Sequence, residues 1–216
     1  MIRGLIEWLI VRWRVRQARA WAPVTALHEA SHGVIALRLS RPLDHVSIIP
    51  GSASTGRVLH MAAPLPDADR QRFGDLTARL DPTFTRCLLR VLSDEEIIIL
   101  LAGGIAAQRI APWSPLHTWR TTRTDRRVAR EIAGRHAASA ASTRARLRWL
   151  KVEAREIVAA NWAPIEAVAR ELLDNGRGEL SGNEVAAIIT ACDHGQSRGV
   201  ARDNKMFNEI PVGGAF

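Results

Sequence analysis

The chain has little cysteine, few aromatic residues and no tyrosine. Its 216 residues include only Cys87 and Cys192, which are too few and too far apart for a disulfide framework or a CxxC metal site. A reducing compartment, the cytoplasm, fits this content best. Aromatic residues make up 5% of the chain and no nucleic-acid motif occurs, so the sequence disfavours a nucleic-acid binder despite its net charge of +8.

The sequence also lacks an apolar run long enough to cross a bilayer. Within residues 1–21, Glu7 and Arg12 interrupt the apolar stretch well before the ~20 residues that a span needs. The apolar positions recur at helical spacing, which predicts a basic amphipathic helix over residues 1–22. Such a helix could pack on its own domain, contact another subunit, or lie peripherally on a membrane through residues 1–21.

No GxxxxGK[ST] phosphate-binding loop, fixed-period repeat or long linker occurs. Hydrophobic residues make up 47% and charged residues 24%, which is typical of a folded domain. We therefore expect one domain over residues 23–193, followed by a loosely ordered tail over residues 194–216.

The remaining patterns predict a mainly α fold with a small β-sheet, of the α+β class. The runs LDHVSII and GRVLHM are rich in β-branched and apolar residues and predict a hairpin or part of a small sheet. From Thr83 onward the apolar periodicity is helical, so the C-terminal half is predicted to be helical. Three pairs of Ser or Thr with an acid three residues later indicate helix starts. These pairs are Ser93 with Glu96, Thr122 with Asp125, and Ser181 with Glu184.

The pattern HEASH, His28 to His32, lies inside the apolar helical run TALHEASHGVIALRL. Residues four apart share a helix face, so His28 and His32 can direct two imidazole nitrogens at one point. Two such ligands suit a tetrahedral Zn²⁺ that takes a third protein ligand and leaves one position for water. Glu29 lies about 100° around the helix, where it can act as a general base. The alternative is an ordinary helix whose histidines are hydrogen-bonded in a core.

Spacing alone does not choose the third ligand. The metzincin extension would need a glycine and a histidine where this chain has Ile35 and Arg38. Asp125 also has a second interpretation, as part of a helix-start signature. The oxygen and nitrogen donors that remain are Asp44, His45, His60, Asp94, Glu95, His117, Asp125 and His136.

A longer series of motifs resembles the peptidase domain of FtsH-type ATP-dependent zinc metalloproteases. Over roughly residues 24–190 the chain contains, in order, TALHEASHGVIALRL, DHVSIIP, TGRV, LLAGGIAAQRI, TTRTDRRVAREIA and ELLDNGRGELSGNEVAAII. The resemblance implies a zinc endopeptidase in which His28, His32 and Asp125 bind the metal and Glu29 is the catalytic base. Because the ATPase module of that family is missing, we expect action on unfolded or flexible polypeptides.

Gly103 and Gly104 stand inside an apolar helical run, where each costs about 1 kcal/mol relative to alanine. Close approach to the HEASH helix would compensate, and small residues such as Gly33 would keep the metal-facing side of that helix uncrowded. The sequence departs from the family after this pair, with Ile105 and Gln108 in place of an arginine and a glutamate. These changes bear on support of the site or on subunit contacts.

The strand DHVSIIP could bind an extended peptide along a free edge, unless both of its edges are occupied within the domain. The resemblance leaves open a separate ATPase partner and a ring-shaped homo-oligomer. The alternative to a peptidase is a catalytically inactive member of the same fold that serves as a binding or assembly module.

Overall fold

The computed structural model describes residues 21–49, 57–60, 81–114 and 122–196. The elements in these ranges are α1 (21–38), β1 (Leu43–Ser47), β2 (Arg57–His60), α2 (Pro82–Ile110), α3 (Arg123–Arg135), α4 (Ala140–Ala160), α5 (Trp162–Asp174), β3 (Glu179–Ser181) and α6 (Gly182–Gln196). The predicted mainly helical fold with a small antiparallel sheet is confirmed. Most of the predicted N-terminal helix and of the predicted tail lies outside the described residues.

The sheet has the strand order β2-β1-β3, and β1 pairs antiparallel with both neighbours. Val46 of β1 is in register with Val58 of β2 on one side and with Leu180 of β3 on the other. The predicted pairing of the first two strands is confirmed, whereas the three-residue β3 was not predicted. Because β1 is the central strand, both of its edges are occupied, and the hypothesis that it offers a free edge to a peptide is wrong.

Helix α2 begins well before the position that its sequence signature predicts. Asp81 is its N-cap and accepts hydrogen bonds from backbone N–H groups of the first turn, and Pro82 occupies the first helical position. Ser93 lies inside the helix, where its hydroxyl donates to the carbonyl of Leu89 at 2.7 Å. The predicted capping box of Ser93 and Glu96 is therefore wrong.

Helix α1 lies at the centre of the domain. Every residue from Ala26 to Ala36 is buried, as expected for a helix surrounded by other elements. An added Cβ at Gly33 would lie 2.6 Å from the Val46 side chain, so this glycine allows close packing against β1. It does not face the two histidines, and the prediction that it keeps the metal-facing side of α1 uncrowded is wrong. Among the helices in the described ranges, none has the length and apolar character to cross a bilayer.

A buried arginine joins the helices around α1. Arg146 of α4 donates to Asp94 of α2 at 2.7 Å, and its other nitrogens contact the carbonyls of Arg90 at 3.3 Å and Ala133 at 3.4 Å. Because these partners lie on α2 and α3, one side chain holds three helices in a fixed arrangement. Removal of one member of such a buried pair typically costs about 3–5 kcal/mol.

Candidate metal centre

Two helices bring three donor atoms to one point. His28 and His32 lie one turn apart on α1, and their Nε2 atoms are 3.1 Å apart. Asp125, in the first turn of α3, places its Oδ2 atom 3.3 Å from Nε2 of His28 and 3.7 Å from Nε2 of His32. The structure therefore brings together the three side chains that the family resemblance implies as ligands.

The spacing of these atoms suits a small cation. With metal–ligand distances of 2.0–2.1 Å, tetrahedral geometry separates neighbouring ligand atoms by about 3.3–3.4 Å. The three observed separations of 3.1, 3.3 and 3.7 Å bracket that value. His28, Glu29 and His32 also form a buried group, with candidate ligand atoms within 4.8 Å of one another, that could hold a metal ion.

The ring of His32 is oriented by a backbone carbonyl. Its Nδ1 atom lies 2.7 Å from the carbonyl oxygen of Ile99 on α2. Because a carbonyl only accepts hydrogen bonds, Nδ1–H must be the donor, and Nε2 of the neutral ring then presents a lone pair toward His28 and Asp125. This arrangement is usual for histidines that bind metals. The sequence has no signal for it, since the acceptor is a main-chain group.

Two buried polar atoms at this point have no hydrogen-bond partner in the described part of the chain. They are Oδ2 of Asp125 and Nδ1 of His28. A buried polar group without a hydrogen-bond partner lowers the stability of the fold by roughly 1–3 kcal/mol, and by more when it is charged. A cation between the rings and the carboxylate would satisfy Oδ2, so the donor set and its unmet acceptor fit a metal ion.

Gly103 and Gly104 of α2 leave room for α1 and for the start of α3. A Cβ added at Gly103 would lie 2.5 Å from Nε2 of His32 and 2.8 Å from two ring atoms of His28. The prediction that this glycine allows close approach of the HEASH helix is therefore confirmed. Gly104 instead faces the start of α3, where an added Cβ would lie 3.1 Å from Cγ2 of Thr122. The two glycines thus set the distances from α2 to α1 and to α3.

The charges at the site interact strongly. Burial raises the pKa of Glu29 above its ordinary value, an effect that His28 and His32 reduce and Asp125 reinforces. Burial opposes ionisation of Asp125 too, but its interactions with the two rings outweigh burial and hold its pKa well below the usual range. For His32, burial favours the neutral ring, yet Asp125 raises its pKa overall. A negative carboxylate beside two rings is an electrostatic environment that favours a cation.

Glu29 and Asp125 both border the histidine pair, but their positions differ. Asp125 reaches in from another helix, with one oxygen near both Nε2 atoms. Glu29 lies on α1 itself, about 100° around the helix from His28, and is only 7% exposed. The geometry therefore favours Asp125 over Glu29 as a third ligand and leaves Glu29 beside the site.

The other candidate ligands on β1 and β2 do not join this group. Asp44 and His45 contact each other, with Nδ1 and Oδ2 2.8 Å apart. The side chain of His60 and all of His117 lie outside the described residues, so these two candidates are not placed.

The remaining candidates bind partners elsewhere. Asp94 pairs with Arg146 at 2.7 Å, and Glu95 lies 3.2 Å from Nε of Arg41. Nε2 of His136 lies 3.1 Å from the hydroxyl of Ser93. Each of these three side chains thus has a partner other than His28 and His32.

The two departures from the family pattern lie on α2 beyond the glycines. Ile105 is partly buried and packs against the main core, whereas Gln108 is exposed. An apolar residue thus occupies an apolar environment at position 105.

Comparison with models of known protein families gave no match, and a search among curated proteins also gave none.

Proposed function

We propose that this chain is a zinc-dependent endopeptidase that hydrolyses peptide bonds in unfolded or flexible polypeptides. His28, His32 and Asp125 would bind the metal, and Glu29 would serve as the general base. The observation that carries the proposal is the convergence of two imidazole nitrogens and one buried carboxylate oxygen that accepts no hydrogen bond from the described residues. The motifs that resemble FtsH-type peptidases support the same assignment.

The donor set favours zinc over Mg²⁺ and Ca²⁺. Two imidazole nitrogens with one carboxylate oxygen are typical ligands of catalytic zinc, whereas Mg²⁺ and Ca²⁺ prefer oxygen ligands alone. Three protein ligands are also the usual number when one coordination position stays open. A bound Zn²⁺ supplies Lewis acidity, which polarises a carbonyl group and makes water acidic at neutral pH.

The residues of the chain then perform the proton transfers. Glu29 accepts the proton of the attacking water on its carboxylate and can return it to the leaving amine. The carbonyl of Ile99 keeps the ring of His32 in one tautomer throughout. His28, Glu29 and His32 are each less than a tenth exposed, so an extended segment can approach them more readily than the surface of a folded protein.

The substitution Glu29→Gln tests the mechanism because it removes the base and keeps the two histidines and Asp125. We expect this variant to retain about one zinc per chain and to cleave a quenched, permanently unfolded polypeptide at least about 100-fold more slowly. Metal content is measured by elemental mass spectrometry on the same samples. Glu171→Gln, which changes an exposed glutamate of α5, is the matched control and should cleave like the parent.

Two results would count against the proposal. Undiminished cleavage by Glu29→Gln would exclude Glu29 as the base. A parent protein that binds zinc but cleaves no unfolded polypeptide, with or without candidate ATPases, would favour the inactive binding or assembly module.

A further inference from the structure

Helices α3 and α4 carry much of the positive charge of the described residues. Residues 122–160 contain ten Lys or Arg and four Asp or Glu, a net charge of +6 out of the +8 of the whole chain. On α4 the cations recur at spacings of four, three and four residues, which places them in one line along the helix. With a rise of 1.5 Å per residue this line is about 16 Å long. It consists of Arg144, Arg148, Lys151 and Arg155.

This line of cations, called here the α4 basic line, faces solvent. Its three arginines are exposed and Lys151 is partly exposed. Within the described ranges none of the four forms an ion pair with an acid. An uncompensated row of like charges destabilises the isolated protein, and an anionic partner would relieve that repulsion.

The α4 basic line lies close to the helix that holds the metal-site carboxylate. Helices α3 and α4 pack together, with a nitrogen of Arg146 on α4 3.4 Å from the carbonyl of Ala133 on α3. Burial, followed by the charges of Arg155 and of Arg126 on α3, lowers the pKa of Lys151. Because Arg126 directly follows Asp125, the basic surface continues from α4 to the edge of the candidate metal centre.

Exposed apolar side chains and scattered acids accompany the cations. Trp149 is 55% exposed and Val152 is 48% exposed on α4, but at 100° per residue they lie about 130° and 70° around the helix from the α4 basic line. Glu156 and Glu153 lie about 110° and 170° around α4 from it, and Glu131 lies on α3 about 3.9 Å from Arg127. The line is therefore a face of positive charge, and the acids and large apolar side chains of α4 lie to its side or behind it.

We propose that the α4 basic line, together with Arg126, binds acidic, unfolded polypeptide segments and directs them to the metal centre. This inference names the substrate class of the proposed peptidase and rests on that function. The carboxylates of an extended acidic peptide can pair with successive cations of the line through charge alone. Single-stranded nucleic acid also needs aromatic side chains on which its bases stack, and Trp149 lies on another side of α4. A membrane surface would need large apolar side chains on this face, and Trp149 and Val152, the two large exposed apolar residues of α4, do not lie on it.

The double variant Lys151→Gln/Arg155→Gln tests the proposal in a binding assay that needs no cleavage. It is made in the Glu29→Gln background, and fluorescence anisotropy follows an unfolded polypeptide rich in Glu and Asp, with its Gln and Asn counterpart as reference. Each exposed ion pair contributes up to about fivefold in affinity, so we expect binding of the acidic probe to weaken roughly twofold to 25-fold when two pairs are lost. Binding of the neutral probe should stay unchanged.

Arg86→Gln/Arg90→Gln is the matched control. It removes the same charge from exposed positions near the start of α2, about 20 Å along that helix from Gly103. This control should bind the acidic probe as the parent does. Thermal unfolding of all variants shows whether the fold is kept, and raising the salt from 50 to 200 mM should weaken the parent's binding to the acidic probe.

Several outcomes would overturn the inference. One is equal affinity for both probes, and another is equal loss in the test and control variants. A third is tighter binding of single-stranded nucleic acid or of vesicles with anionic lipid than of the acidic probe, again dependent on Lys151 and Arg155. Preference for the acidic probe without any cleavage by the parent would uphold the binding surface and reject the peptidase.

Discussion

The first turns of α3 and α6 share a local sequence pattern and use it in opposite ways. At α6, Glu184 accepts from the backbone N–H of Ser181 at 2.7 Å and from its hydroxyl at 2.8 Å, which forms the predicted capping box at an exposed site. At α3, the side chain of Thr122 makes no capping hydrogen bond, and Oδ2 of Asp125 lies near His28 and His32. Glu184 caps the helix to which it belongs, whereas Asp125 contacts side chains of a different helix.

The surroundings of the two turns explain the difference. Glu184 is partly exposed and pairs with the exposed Arg177, so the nearest donors of its own first turn are available to it. Thr122 is 4% exposed, packed beside Gly104, and this contact holds the first turn of α3 against α2 next to the histidines. The same pattern can therefore predict a helix start without predicting what the acid binds.

Removal of the acid at α3 should have the largest effect on metal binding. Asp125→Asn keeps the size of the side chain but removes its negative charge, so we expect the affinity for zinc to fall at least about 100-fold, the upper end of losses seen for groups that only support ligands. Competition with a chromophoric chelator at neutral pH measures this. Glu184→Gln is the paired control and should bind zinc like the parent. Equal affinity in all three proteins would remove Asp125 from the site.

An intermediate effect is expected where α2 touches α1. Gly103→Ala would place its Cβ 2.5 Å from Nε2 of His32, so the ring or the helix must move. We expect a loss of about 1–3 kcal/mol in the free energy of unfolding, measured by chemical denaturation of the metal-free protein, with weaker zinc binding.

Gly134→Ala is the control for that substitution, because nothing lies within 4 Å of an added Cβ there and the position is on α3. It should be neutral or stabilising by up to about 1 kcal/mol, through helix propensity. Similar stability of the two variants would show that the close approach at Gly103 does not constrain the rings.

The smallest effect is expected at α6 and depends on pH. Hydrogen bonds from Arg177 and Ser181 lower the pKa of Glu184 from its ordinary 4.5 to about 2. The ionised carboxylate of Glu184 therefore stabilises the folded protein above about pH 4.5, and this contribution is lost as the pH falls from there toward 2. Denaturation of the parent and of Glu184→Gln should show a stability difference at pH 6 that shrinks by pH 2.5. A constant difference over this range would mean that the carboxylate charge does not stabilise α6.

Much of the local structure followed from local sequence. The i, i+4 spacing of His28 and His32 placed two rings on one face, and the paired β-rich runs produced the first two strands of the sheet. The predicted start of α2 was wrong because Ser93 and Glu96 have the spacing of a capping box although both lie inside the helix, which Asp81 and Pro82 begin earlier. Helix propensity over the whole segment outweighs one short capping pattern, so that pattern did not set the boundary.

The long-range contacts could not be derived in this way. Strand β3 is only three residues long, and its pairing with β1 depends on chain segments far apart in sequence. The carbonyl of Ile99 that orients His32 has no side-chain signal at all. Among the acids that could have completed the metal site, Asp94 and Glu95 were excluded only by their pairing with Arg146 and Arg41.

The sequence by itself determined the two rings and the neighbouring glutamate, because helical geometry relates residues four apart whatever surrounds them. Spacing left the third carboxylate open and the family resemblance implied Asp125, but only the tertiary structure brings that carboxylate to those rings. That meeting requires α2 to lie close to both α1 and α3, and it does so because Gly103 and Gly104 have no side chain where the helices touch. Packing between distant segments, unlike helical periodicity, is a property of the whole domain.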